Sequence, residues 1–567
     1  MFRVWAVVLS LGAMSAVPVT AQDRDLASSL PFTVDEVIHP AIARLPPPDF
    51  FKEIEALPMV ITARNETAQR HVVQGMSLIN AGWDFEAYRH FCEAVRADRD
   101  CLMAYWGIGL ALAAPNNEFT PQRVNAISRM VDLIEAEAGT ALERDYALAL
   151  ASMYASGAKS SAREFSLLAR RYPNNLQAKL LAAYLGRGGY DEFGEATVAQ
   201  EEAIENMRLY LNLHPDNLAV LTFWAVLHAE SPDAIEMLTR QVLPFARKIA
   251  RLAPEFPPYQ HLLGHFEWRC GNHRLAEAAF ARAADLYAAH MKKHKLTFHD
   301  CDGWVRTRLY HAAALYSQGR FDEAMKIAKE MAALQIDEKR FGSPGADLVL
   351  WEARTLPARL YAARGWEADF DAGIASLPAK DDPQLFRERT MSIFYLEAMR
   401  QYLGSRRELH RGNRKLAGDF RTALSKTGVL LLNAQEKATR SSAISEYVRA
   451  LRCLEALSAE LRGLVALAAD GSERRSAFNW FKSAVSKQQR PTMLMPPPTL
   501  YPMEIRLGEY HLRMDEPQKA AEAYWEGLTR RPNDLASLSG YERALAGLGR
   551  TDDAARIAKQ IRLVKGN

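Results

Sequence analysis

The chain has 567 residues, 49% hydrophobic and 25% charged, and its 71 basic and 68 acidic residues leave a formal charge of +3. These values exclude wholesale disorder, and 31 glycines with 27 prolines exclude a collagen-like or low-complexity chain. The near-balance of charge leaves no basic field to hold nucleic acid or an anionic membrane, so neither is an expected partner.

Residues 1–21 read MFRVWAVVLSLGAMSAVPVTA. Arg3 supplies a positive start, and Val4 to Ala16 form an apolar run shorter than the ~20 residues of a membrane span. Val19 and Ala21 then stand at the −3 and −1 positions of a cleavage site before Gln22. The expectation is a signal peptide cleaved after Ala21 and a periplasmic or secreted protein. No cysteine follows the cut to carry a lipid, and no later stretch reaches 18 uninterrupted apolar residues, so no integral membrane segment is expected after cleavage. Residues 22–65 contain LPPPDFF at 45–51, which reads as an extended lead-in because proline fixes φ and lacks an N–H. From about 66 onward alanine, leucine, glutamate and arginine dominate, with apolar residues at three- and four-residue steps, the pattern of helices. A second proline-rich break, RPTMLMPPPTLYP at 490–502, reads as a linker (491–502) before a final helical piece, 503–567.

The helical region repeats. His71, Gly75 and Leu78 align with Tyr105, Gly109 and Leu112 at a step of 34, and Leu507, Gly508 and Ala520 align with Tyr541, Glu542 and Ala554 at the same step. Leu263, Gly264, Ala276, Phe280 and Ala283 repeat the internal spacing. Ala312, Leu315, Ala324 and Ala328 follow them at 48, which is one period plus a 14-residue insertion. Small residues at positions eight and twenty let two antiparallel helices approach closely, and large residues at seven, eleven and twenty-four fill the space between them. Proline at thirty-two ends the second helix, as Pro215, Pro254 and Pro532 do. A single hairpin cannot bury its outer face, so such units must stack.

This pattern resembles the tetratricopeptide repeat family, which implies an all-α solenoid of antiparallel helical hairpins. The clearest units are 68–101, 257–290, 305–334 and 501–534, with weaker ones at 102–116, 184–217, 218–256 and 535–565. A solenoid with insertions is therefore expected over 66–335, irregular helical pairs over 336–490, and a C-terminal repeat pair over 503–567. The second unit has no standard partner helix, since residues 117–139 intervene.

No phosphate-binding glycine loop, nucleophile elbow, His-Glu-x-x-His or Cys-x-x-Cys occurs in the chain. No catalytic residue and no cofactor is assigned, and the expectation is a protein without enzymatic activity. What the resemblance implies instead is a scaffold binding a protein or peptide partner on its concave surface, to which first-helix positions two, five, nine, twelve and thirteen commonly point. Those positions select Trp106, His261, His265, Trp268, Arg269, Arg306, Tyr316, Glu509 and Arg513, a set whose aromatic and arginine members are the usual anchors of protein recognition. The alternative is a metal-binding protein or metal-dependent hydrolase. The i,i+4 pair His261 and His265 share a helix face, and His299, Asp300, Cys301, Asp302 and His311 are further potential ligands. No third ligand lies at fixed helical spacing, so no metal is assigned. Cys92 with Cys101, and Cys270 with Cys301, could each bridge in an oxidising compartment or remain free thiols, with Cys453 left over.

Overall fold

A glycine on one helix and an aromatic ring sixteen residues later set the spacing of the hairpins. In the computed structural model a Cβ added to Gly75 would lie 2.7 Å from the Phe91 ring, one on Gly264 2.7 Å from Phe280, and one on Gly508 2.4 Å from Tyr524. Two of these rings also meet a glycine of the next hairpin, Phe91 at Gly107 and Tyr524 at Gly540, each 2.1 Å from such a Cβ. Those two rings are therefore clamped between helices that only a missing side chain allows to come so close.

The structure describes residues 33–57, 59–113, 118–191, 195–231, 235–385, 390–437, 441–489 and 491–566. The expected signal peptide and its cleavage site lie outside the described residues. Among the described residues there is no strand, only an isolated bridge between Tyr190 and Ala196, and helices follow one another in antiparallel pairs packed on their sequence neighbours. Glu66–Asn80 pairs with Asp84–Ala97, Ala141–Ser156 with Ala158–Arg171, Pro257–Arg269 with His273–His294, Asp302–Ser317 with Phe321–Ala332, and Glu504–Arg513 with Pro517–Arg530. The fold is an all-α, tetratricopeptide-like solenoid. Asn65, Asn175, Asn217 and Asp534 cap their helices by accepting from the backbone N–H three residues on. Pro215, Pro254 and Pro532 sit in the turns between helices, where the missing N–H costs nothing.

Two stretches differ from the sequence expectation. Helix Thr120–Glu135 lies beside Leu102–Ala111 and serves as the partner that the second unit was read as lacking. Between 390 and 487 the pairs Thr390–His410 with Arg414–Glu436, and Ser441–Leu467 with Gly471–Lys487, have long arms, yet they use the same close approach: Gly404 meets Phe420, and Gly463 meets Phe481.

The lead-in is part of the core. Val37, Ile38, Ile42, Ile54 and Ile61 are buried in the same cluster as Tyr88 and Phe91. Tyr88 donates to Val37 O and accepts from the His39 amide, Arg89 donates to Pro46 O, and Gln74 accepts from the Phe51 amide. At the other end the chain folds back on itself. Asn533 Nδ2 donates to Gly271 O at 2.9 Å, and Gly271 itself, at φ +78°, leaves no room for a Cβ beside Pro532.

Candidate functional site

Residues 491–503 are held by side chains from several separate hairpins, among them His261 at one of the expected groove positions. Prolines 496–498 have no N–H to satisfy, so this segment presents mainly carbonyls, and a buried carbonyl needs a donor. Helices from separate hairpins supply them. Tyr310 Oη donates to Thr492 O and lies 2.9 Å from Met495 O. His261 Nε2 donates to Met493 O at 2.7 Å. Arg449 Nη2 donates to Pro496 O at 2.9 Å, Arg359 donates to Pro497 O and Pro498 O, each at 2.8 Å, and Arg531 donates to Thr499 O at 3.0 Å. The buried carboxylate of Glu352, in the π-turn Val349–Ala353, holds both central arginines in place: 2.8 Å from Arg359 and 2.7 Å from Arg449. Met493, Met495, Leu500 and Tyr501 fill the apolar wall. Tyr501 Oη then meets Glu460, which also accepts from Tyr402 and Arg506. Burial raises the Glu460 pKa, but Arg506 and Arg406 outweigh it and hold the carboxyl below its usual range.

This arrangement decides where the residues singled out from the sequence stand. His265 is wholly buried, with Nε2 donating to Ala229 O at 3.1 Å and Nδ1 3.2 Å from Tyr310 Oη. His261 Nδ1 lies 2.9 Å from Thr307 Oγ1. Burial pushes His261 down to about 4 and His265 well below the usual histidine value, so both are neutral. Trp268 packs with Phe280, Tyr310 and Ala314 and donates to Ser317 Oγ, and Arg269 donates to Ala229 O and Ser231 O. Trp106 is buried against Tyr146. Arg306, paired with Asp302, and Tyr316 are half-buried, as is Glu509, which accepts from Arg506. Only Arg513 is exposed. His261, His265, Trp268 and Arg269 are thus all buried, and of the four His261 is the one bonded to the internal segment.

The same geometry removes His261 and His265 as metal ligands, because all four ring nitrogens are taken by protein groups. The other potential ligands are dispersed. His299 bonds Ser343 and the Asp337 amide, Asp300 pairs with Arg340, Asp302 with Arg306, and His311 with Glu277. All five cysteines are free thiols, four of them buried. Burial pushes Cys101 up to about 12 and Cys453 to about 11, values at which a thiol is inert.

Sequence reasoning missed Tyr310, Arg359, Arg449, Arg531 and Glu352 because no local motif marks a donor for a distant carbonyl. A signal was nevertheless present: a run of three prolines inside an otherwise well-packed chain must have its carbonyls satisfied somewhere. Also missed was a second i,i+4 histidine pair, His290 and His294, at the same spacing as the first. The 14-residue insertion extends helix His273–His294 until this pair reaches Asp49 of the lead-in, with His294 Nε2 donating to Asp49 Oδ2 at 2.9 Å.

Among the described residues no helix is long and apolar enough to cross a membrane. No family model matches the chain, and no curated protein matches it in sequence. Solved structures do match in shape. A human IFIT1 dimer with m7Gppp-AAAA is 10% identical, covering 97% of this chain and 100% of that one at a TM-score of 0.30. Yeast Tom70 is 11% identical over 88% and 93% of the two chains at 0.29. The APC/C hetero-tetramer Cut9–Hcn1 is 12% identical over 88% of each at 0.27. At these identities and scores the likeness is one of helical-repeat architecture and carries nothing about function.

Proposed function

We propose that this protein is an exported, non-catalytic scaffold that binds a protein or peptide partner along its inner face. The observation that supports the reading is the way residues 491–503 are held. Tyrosine, histidine and arginine side chains from separate hairpins take successive backbone carbonyls of an irregular, proline-containing segment. A wall of donors set for carbonyls recognises extended backbone with little regard to side-chain identity, as peptide-binding grooves do. On this reading the partner docks beside the internal segment, on the exposed Arg513 and the half-buried Arg306, Tyr316 and Glu509, or exchanges with it. Export rests on the composition of residues 1–21 and their small residues before Gln22.

A photo-crosslinking residue at Arg513, compared with one at the outward-facing Trp525, tests the binding claim in the native cell envelope. A discrete adduct at 513 and none at 525 is the expected result, and the absence of any adduct at 513, or the same adducts at both, rejects it. N-terminal sequencing of the mature protein is expected to begin at Gln22, and a chain retaining Met1 in the cytosol rejects export.

A further inference from the structure

We propose that Asp49, His290 and His294 form a binding site for a first-row divalent metal ion, with Zn²⁺ the best match, which pins the lead-in to the solenoid. One carboxylate oxygen and one nitrogen from each imidazole all lie within 4.8 Å of one another. Tetrahedral zinc needs ligand distances of about 2.0–2.2 Å, so small side-chain adjustments close the cluster around an ion. The two histidines stand one turn apart on helix His273–His294, their ring centroids 4.4 Å apart, and the helix fixes that spacing. Asp49 comes from a chain segment 245 residues away in sequence, held by Arg89 to Pro46 O and by His90 to Asp49 O.

The His290 side chain is 8% exposed, and its Nε2 pairs with the buried carboxylate of Glu86, 3.1 Å from Oε1, beside Arg89 Nη1. That carboxylate fixes the imidazole and leaves Nδ1 as the ring nitrogen that a metal would take. The surroundings fit a metal in other respects. His294 Nε2 is directed at Asp49; ligation through it puts the ring proton on Nδ1, so Arg89 Nη2, 3.4 Å from Nδ1, turns fully to Pro46 O, which it already bonds. Glu86 stands behind His290 as the carboxylate that orients a ligating histidine often does. Lys293, now 2.6 Å from Asp49 Oδ2, has a side chain 64% exposed and can swing into solvent as the ion takes its place. Asp49 itself is 35% exposed and gives the ion an entry path. Two imidazoles and one carboxylate leave a fourth position for water, a donor set that suits zinc and its neighbours rather than calcium or magnesium.

The test uses the full mature chain, stripped with chelator and dialysed, and titrated calorimetrically with Zn²⁺ alone and, in parallel, followed by visible absorption with Co²⁺ alone. The expected result is one saturable site, Co²⁺ bands in the visible that Zn²⁺ abolishes, and a melting temperature that rises with added Zn²⁺. Asp49→Asn is nearly isosteric and half-exposed, so it folds, and it is expected to lose at least tenfold in affinity, as is His294→Gln. His261→Gln, at the internal segment, is expected to bind as the parent does. Absence of saturable binding in the parent overturns the proposal. So does full retention of affinity in Asp49→Asn, whatever the histidine variants do, and so does a loss in His261→Gln equal to that in His294→Gln with helicity intact.

Discussion

Replacing Arg359 by alanine isolates the contribution of the donors that hold the internal segment. The guanidinium is 4% exposed and makes three bonds of 2.8 Å, to Pro497 O, Pro498 O and Glu352 Oε2. Bonds involving a charged group contribute about 1.5–3 kcal/mol each and are not additive. Removing one partner of a buried ion pair costs roughly 3–5 kcal/mol. Arg449 continues to hold the other oxygen of Glu352 at 2.7 Å, which places the loss at the low end, about 3 kcal/mol. That loss falls on docking of the segment more than on the hairpins, so hydrogen exchange is the assay that reads it. Amides of 492–503, among them Met495 N bonded to Thr492 Oγ1 and Met503 N bonded to Gln488, are expected to exchange about a hundredfold faster, while amides of 66–97 stay unchanged. Arg359→Lys keeps the charge without the planar fork and is expected to fall between the two. Unchanged exchange of the segment in Arg359→Ala refutes the reasoning, as does an equal acceleration in 66–97.

Gly264→Ala drives a methyl into the Phe280 ring and is expected to lower stability by about 1–3 kcal/mol in denaturant titration; Gly428→Ala, mid-helix with nothing within 4 Å, is expected to raise it by about 0.5–1 kcal/mol. His261, held neutral at about 4 in the folded chain against an ordinary 6.5, contributes stability that is fully present above pH 6.5 and lost as pH falls toward 4, up to roughly 3 kcal/mol. His261→Gln should flatten that part of the stability–pH curve, and an unchanged curve counts against the assignment. Thiol titration of the unfolded, unreduced protein should find all five cysteines free, and a Cys92–Cys101 or Cys270–Cys301 bridge in a peptide map contradicts the structure. Trp268→Ala with Arg269→Ala should abolish cooperative folding rather than weaken a partner alone, because both side chains are buried and bonded.

How much of this was legible follows from the range of each interaction. The hairpins could be read because the glycine–aromatic clamp acts over sixteen residues, within reach of a periodicity: Gly75 with Phe91, Gly264 with Phe280, Gly508 with Tyr524. The long-armed pairs at 390–487 carry the same clamp but at irregular intervals, so a search at a fixed period passes over Gly404 and Phe420. The register placed His261, His265, Trp268 and Arg269 at groove positions. It could not say that all four would be buried, because the partner of His261 comes from a segment 232 residues further on, at Met493. Composition marked that segment as a proline-rich linker, and nothing in the composition gives its destination among the donors of distant hairpins. Asp49 and His294 lay still further apart, and nothing local in PPPDFF points to a helix near 290.

The wide separation of the internal segment's contacts also sets an order of events during biogenesis. A chain emerges N-terminus first, from a ribosome or from a translocation channel. Residues 33–61 are therefore present before the hairpin of Tyr88 and Phe91 needs them, and the first repeats can close as soon as they appear. His261 and Tyr310 have no such provision: their carbonyl partners lie 232 and 182 residues downstream. At about 5–20 residues per second the interval for His261 is roughly 10–50 s. Throughout it the nascent protein carries an open, apolar, donor-lined cleft with nothing of its own to place there. The last proline run to arrive is what ends its exposure.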